Sequence, residues 1–342
     1  MKNGYRMLYF FRGSSEGYPP PFVRLLKDQG WEVDPVPVSD DAPFYGIADV
    51  LCARRRFSSY DVVAANEYFL LWAICLRLIG TARKPKVAAT SFNQSRRLLL
   101  TGISVVDRFL NLVWQRVSLF LVHSKAEAQL FANMHDIPLD RFVFSHWGYD
   151  LPVRGSHGAS LPSVPYVSMI GRNNRDIATF CAAVERAGVA GVIITARYML
   201  DRYSGEVPAS VRILTDRPME ECLAYIEGSF AHLVLVRDAQ RGAGHISAVT
   251  AMLLGKPQIF TGVGPLEDYL HDRINGIAVG LEDVEAVARA IRKLRDNPGL
   301  ARKLGQSGQN LAQQFLTLEA ASKRVADALC ELAGETGVPA TS

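Results

Sequence analysis

The chain has 342 residues, 49% of them apolar and 21% charged, with a net charge of +4, enough to bury the cores of two ordinary domains. Its five scattered cysteines (Cys52, Cys75, Cys181, Cys222, Cys330) form no Cys-x-x-Cys pair, which points to reduced thiols in a cytoplasmic protein and away from a metal site. The opening MKNGYRMLYFFRG is a charged tip before an apolar run of strand length, unlike a signal peptide, and no stretch reaches the roughly 18 unbroken apolar residues of a membrane-spanning helix.

Residues 7–11 read as a first strand, followed by a glycine-bearing turn at 13–17 and, through Pro19-Pro20-Pro21, a helix ending near Gly30. Residues 31–33 continue as the next strand. Strands at 60–65 and 87–89 flank an apolar helix at 68–79. Open α/β sheets bind ligands at the C-terminal ends of their strands, so Asn66, Glu67 and Asn93 are acceptor-site candidates, with helix capping or a loop role as the other reading of each. The turn at 13–17, which contains Ser14, fits a ligand cradle or a tight strand-to-helix turn equally well.

Between residues 50 and 125, twelve basic residues stand against three acidic ones, a net +9. Interleaved with Phe, Trp and Leu, such a face is compatible with an anionic membrane surface, a phosphorylated acceptor or nucleic acid, and equally with a solvated surface. The segment 95–117 alternates apolar and basic residues at helical spacing and reads as a packed helix or as one lying on a membrane. A strand at 119–122 leads to Ser124, an N-cap for a helix from Ala126. His123 and His146 lack metal-site spacing and read as hydrogen-bonded residues of a core or cleft.

The stretch 149–163 is rich in Gly, Pro and Ser and reads as a linker between domains. Beyond it, strands at 166–170, 192–195 and 211–214 alternate with helices at 177–187 and 219–228, the pattern of a parallel sheet covered on both faces. The unit HLVLVRDAQRGAGHISAVTAMLLGKPQIFTGVG (232–264) reads as a strand, a glycine-bearing loop (237–244), a helix (245–254) and a second strand (258–260). Gly242 and Gly244 leave the helix start without bulk, so unpaired N–H groups and the positive end of the helix dipole are open to an anion, by expectation a diphosphate. A second basic glycine turn, Gly171-Arg172-Asn173-Asn174-Arg175-Asp176, ends the strand at 166–170, and two such loops suit one ligand. A final strand at 276–279 precedes amphipathic helices at 284–294 and 299–315.

GAGHISAVTAMLLGKPQIFTGVGPLEDYLHDRINGIAV resembles the donor-binding signature of the family 4 retaining glycosyltransferases, whose pattern is a Glu, seven residues, Glu-Ala-Met, then Gly-x-Pro and a later Asn-Gly. GRNNRD is similar to that family's diphosphate-holding Gly-Arg turn, and SKAEAQLF with HWGYD to the segment closing its N-terminal domain. The likeness covers most of residues 115–320; the first 110 agree only in layout. It implies the GT-B arrangement, an α/β fold of two Rossmann-like domains with parallel sheets facing across a cleft. On that basis residues 1–150 form an N-terminal acceptor domain, 151–163 the linker, 164–320 a nucleotide-sugar domain, and 318–333 a terminal helix returning to the first domain.

The resemblance implies a metal-independent retaining glycosyltransferase, of hexosyltransferase type. It would move a sugar from a UDP- or GDP-linked donor to a saccharide, lipid-linked or small-molecule acceptor in bacterial glycan or glycoconjugate synthesis. Such a protein is cytoplasmic or peripheral at the inner face of the membrane, and no cofactor or metal is expected. Arg172 and Arg175 are the catalytic cations for the departing diphosphate; Gly171, Gly242, Gly244, His245, Ile246 and Ser247 line its turns; Leu214 and Arg217 belong to the segment meeting the nucleobase; the loop holding Ser14 lies beside the acceptor. Where the family has its two glutamates this chain has Gly242 and Thr250, which leaves Thr250 to offer a hydroxyl to the ribose and Asp238 or Gln240 to reach the sugar. The alternative is a noncatalytic GT-B protein that binds a nucleotide sugar or a partner enzyme. Nucleic acid is not an expected partner, because the basic residues lie on no recognisable motif.

Overall fold

A computed structural model describes residues 4–12, 18–38, 46–53, 56–81, 85–93, 111–152, 159–238 and 242–334. The chain divides into two compact units, the first comprising Met1–His146 and Leu318–Ser342, the second Trp147–Thr317.

In the first unit, β1 (Arg6–Phe11), β2 (Glu32–Pro37), β3 (Val62–Ala65), β4 (Lys86–Ala89), β5 (Leu119–Val122) and β6 (Phe142–Phe144) form one sheet in the order β2-β1-β3-β4-β5-β6, every pair parallel. The helices are α1 (Pro21–Asp28), α2 (Ile47–Leu51), α3 (Tyr68–Arg77), α4 (Lys125–His135) and, from the far end of the chain, α11 (Leu318–Ala333). Leu8 and Phe10 enter one core with Val63, Leu71 and Ile74, while Met7, Tyr9 and Phe11 enter another with Phe22 and Leu26. Both faces of β1 are therefore apolar, which is why it reads as an unbroken hydrophobic run. Of the segment 95–117 only 111–117 is described, and Val113, Trp114 and Val117 are buried in the first core.

In the second unit, β7 (Tyr166–Ile170), β8 (Ala190–Thr195), β9 (Val211–Thr215), β10 (Ala231–Val234), β11 (Gln258–Thr261) and β12 (Gly276–Val279) form a parallel sheet in the order β12-β11-β10-β7-β8-β9. Its helices are α5 (Ile177–Ala187), α6 (Arg197–Leu200), α7 (Met219–Gly228), α8 (His245–Leu253), α9 (Val284–Asp296) and α10 (Pro298–Phe315). Val167, Met169 and Leu233 pack with Phe180, Val184 and Ile291 on one face; Ile170, Val234 and Phe260 lie on the other, with Ile226, Val249 and Met252. The described linker residues 151–152 and 159–163 belong to this unit, where Arg212 Nη1 and Tyr225 Oη donate to Ser160 O (2.8 and 3.1 Å).

Each sheet has a point where the chain order reverses, between β1 and β3 in the first unit and between β7 and β10 in the second. Crevices at the C-terminal ends of such strands are where open α/β sheets bind ligands. The short elements α2, α6 and β6 have no counterpart among the sequence expectations, since three to five residues are too few to show a period. No helix among the described residues is long and apolar enough to cross a membrane.

Candidate functional site

The loop after β7 (residues 171–175) and the loop before α8 flank the reversal point of the second sheet. In the first, every carbonyl from Ile170 to Asn174 accepts a hydrogen bond: Ile170 from Arg175 Nε and Nη2 (3.2 Å each), Gly171 from Thr195 Oγ1 (2.9 Å), Arg172 from Tyr198 Oη (2.7 Å), Asn173 from Arg175 Nη1 (3.0 Å) and Asn174 from Arg237 N (3.3 Å). The backbone N–H groups of 172–175 donate to no acceptor among the described residues. A loop with its acceptors tied and its donors open is a ready anion site.

Across the reversal point, α8 starts from Gly244, held at φ 98°, a left-handed conformation that favours glycine. A Cβ there would also lie 2.7 Å from Val234 Cγ1. No side chain among the described residues caps α8, so its first N–H groups keep their pull on negative charge.

Arg175 joins the two loops. It is only 4% exposed; besides its bonds to Ile170 O and Asn173 O it donates from Nη2 to Ser247 Oγ (3.1 Å) in the first turn of α8, and Ser247 donates in turn to Gly244 O (3.1 Å). Among the described residues no carboxylate pairs with it, and burial pushes its pKa down to about 10. A desolvated cation held only by dipoles is short of negative charge. Gly171 makes the arrangement possible, because a Cβ at that position would lie 2.1 Å from Arg175 Nη2. Arg172 has the opposite setting: its side chain is 76% exposed and approaches Asp216 Oδ1 at 3.8 Å.

The remaining donor-site candidates scatter. His245 turns into the protein, its Nε2 3.2 Å from Pro265 O and its ring stacked on Tyr269. Ile246 is exposed. Thr250 is 1% exposed and donates its hydroxyl proton back to Ile246 O (2.6 Å), which directs that proton into the helix and away from any ribose. Leu214 is a core residue; Arg217 is half-exposed, 3.9 Å from Glu221. Asp238 accepts from Asn174 Nδ2 through its carbonyl (3.1 Å); Gly242 is buried, and Gln240 lies outside the described residues.

In the first unit, Asn66 binds the backbone of Arg12, the residue after β1, reciprocally (3.0 and 2.8 Å). Glu67 caps α3 by accepting from Phe69 N (2.8 Å). Asn93 is half-buried just beyond β4, and Ser14 lies outside the described residues. Sequence reasoning missed Ser91, whose hydroxyl meets His123 Nε2 (2.8 Å) while His123 Nδ1 donates to Ser145 O (3.0 Å). It also missed Thr195 and Tyr198, which bond to the backbone of the loop after β7, and it gave Asp216, beside the Arg172 side chain, no role of its own within the segment 214–218; as single polar residues they carry no motif. Among the described residues, no three of His, Cys, Asp and Glu are grouped so as to hold a metal ion.

The sequence matches no protein-family profile and no curated protein. Solved structures do match. A glycosyltransferase from Rickettsia africae ESF-5 aligns at a TM-score of 0.68 and 12% identity, over 98% of this chain and 100% of that one. HepE from Anabaena, solved with UDP-glucose, aligns at 0.69 and 14% identity over 96% and 100%. Sucrose-phosphate synthase from Thermosynechococcus elongatus aligns at 0.69 and 17% identity over 96% and 99%. At these identities the likeness is one of fold. The chain has the two-domain α/β fold of these proteins, the GT-B class.

Proposed function

We propose that the protein is a metal-independent, retaining glycosyltransferase of the family 4 type, using a nucleoside diphosphate sugar as donor. The observation carrying this reading is Arg175: a buried cation that has no carboxylate partner among the described residues and that ties the Gly171–Arg175 loop to the first turn of α8 at the reversal point of a parallel sheet. When a glycosidic bond to a diphosphate breaks, negative charge collects on the departing phosphate oxygens. Donors already oriented toward that charge lower the barrier without reorganising. Arg175 and the loop N–H groups form the rigid part of this field, and Arg172 the mobile cation that closes on the diphosphate. The complex of HepE with UDP-glucose supports a nucleotide-sugar donor. The acceptor in this reading is a saccharide, a lipid-linked sugar or a small molecule. The basic, aromatic-interleaved stretch in the first unit suits peripheral attachment to an anionic cytoplasmic membrane surface.

With Gly242 and Thr250 where the family signature has glutamates, and the Thr250 proton taken by Ile246 O, donor affinity rests on the diphosphate. Replacing charged by neutral hydrogen bonds weakens binding by roughly 1–2 kcal/mol. The same feature favours the second reading, a GT-B protein that binds a nucleotide sugar without turning it over.

Calorimetric titration of UDP and GDP with chelator present tests the proposal. Binding of at least one is expected, weakened by roughly 1–3 kcal/mol in Arg172→Ala. No binding of either would sink it. Release of free sugar from UDP- or GDP-sugars separates the enzyme from the binder.

A further inference from the structure

We infer that Asp216 is a positioning residue that parks Arg172 away from the anion site and thereby sets the affinity for the donor diphosphate. The inference rests on the donor-diphosphate reading above. Asp216 follows β9 and adopts a left-handed backbone, φ 51°, which is unfavourable for most side chains but tolerated by Asp and Asn. Its carboxylate is anchored: Oδ2 accepts from Arg197 N at the start of α6 (3.2 Å), and its own N–H donates to Thr195 O (3.0 Å). The other oxygen, Oδ1, stands 3.8 Å from Arg172 Nη2.

The arginine is the movable partner. Its backbone is held by the hydroxyl of Tyr198 on its carbonyl, between Gly171, tied to Thr195, and Asn173, tied to Arg175. Only the side chain swings, and it is 76% exposed. Its guanidinium has an anchored carboxylate for a neighbour, and the loop to which Arg172 itself belongs carries N–H groups that donate to no acceptor among the described residues. A solvent-exposed ion pair of this length is weak, so a diphosphate with several negative oxygens outcompetes Asp216 for the guanidinium. Asp216 reclaims the guanidinium as the diphosphate departs. The pair makes the first cation of the site a contested one, while Arg175, with no carboxylate competitor among the described residues and four bonds to oxygens, stays in place.

Asp216→Asn is the informative variant, because asparagine keeps an oxygen for Arg197 N and tolerates the left-handed turn while losing the charge. Inorganic pyrophosphate is the probe, since it carries the anion without a nucleoside, and UDP is titrated in parallel. Relative to the wild type, Asp216→Asn is expected to bind pyrophosphate about two- to fivefold more tightly at low salt, the span of one exposed ion pair. The gain should shrink in 0.5 M NaCl (about 4 Å of screening length) and largely vanish in an Arg172→Ala background, with an unchanged melting temperature. Unchanged or weaker pyrophosphate binding, an equal gain with and without Arg172, or no pyrophosphate binding in either protein overturns the inference. Absence of UDP and GDP binding alongside the expected pyrophosphate gain counts against the nucleotide-sugar reading alone.

Discussion

Arg172 and Arg175 stand three residues apart in one loop and have opposite fates. One is a buried strut whose guanidinium is bonded to two carbonyls and a serine; the other is an exposed side chain next to a carboxylate. Nothing in GRNNRD distinguishes them, because besides the local carbonyls of Ile170 and Asn173 the guanidinium of Arg175 meets Ser247 in α8, 72 positions later. Two histidines show the same dependence on distant partners. Burial pushes the pKa of His232 down to about 3, with the charge of Arg175 adding to the effect. Burial likewise pushes His123 down to about 4, opposed by its bond to Ser145 O and assisted by Arg324. Both stay neutral in the fold, whereas in the unfolded chain they protonate near the ordinary histidine value of about 6.5. The unfolded state therefore binds more protons below that pH. The stability these groups contribute is complete above about pH 6.5 and is lost as pH falls toward their folded values, at up to about 1.4 kcal/mol per pH unit for each. Urea unfolding at pH 7, 6 and 5 should show this decline, and a flat profile would mean that the two rings are not buried neutral.

At the scale of the element, two glycines of α10 separate intrinsic helix preference from packing. Gly305 lies where a Cβ would come 2.1 Å from the backbone oxygen of Gly255, whereas a Cβ at Gly308 meets nothing nearer than Met252 Cγ at 3.4 Å, an ordinary contact. Alanine improves helix propensity by up to about 1 kcal/mol at either position. At 305 that gain is outweighed, because overpacking against a backbone atom costs roughly 1–3 kcal/mol. Gly305→Ala is thus expected to lower the urea midpoint and Gly308→Ala to leave it unchanged or raise it. The same sign in both variants would show that the approach of α10 to the turn after α8 does not govern the helix.

For the whole molecule, the telling feature is that the last helix belongs to the first unit. Ala326, Leu329 and Cys330 of α11 are buried in one core with Phe22, Val23 and Leu26 of α1, and Lys86 Nζ reaches Leu332 O. Ending the chain after Thr317 uncovers this core, and each large side chain so exposed forfeits roughly 1.5–3 kcal/mol. The shortened protein should bind a hydrophobic dye and lose the cooperative unfolding of its first unit, while the second unit, whose donor-site residues all lie between 171 and 250, keeps its nucleotide binding. A full-length unfolding profile after truncation would place α11 outside that core.

The sequence by itself determined the alternation of strands and helices, the parallel sheets and the two basic glycine turns. Those features are local: periodicity follows from which faces of an element are buried, and a left-handed turn such as the one at Gly244 needs a glycine wherever the chain goes next. It offered helix capping as one reading of Glu67, which the structure shows, but it did not determine which of two arginines would be buried, that the hydroxyl of Thr250 would turn back on its own helix, or that Asn66 would hold the backbone of Arg12. Nor did it mark Tyr198 and Thr195 as residues that steady the loop after β7, or Asp216 as the neighbour of the Arg172 side chain. The Thr250 bond is a local rotamer choice within one helix. The bonds of Arg175 to Ser247, Asn66 to Arg12, Thr195 to Gly171 and Tyr198 to Arg172 join residues distant in the chain, and their geometry exists only once those segments lie side by side, so only the tertiary structure decided them.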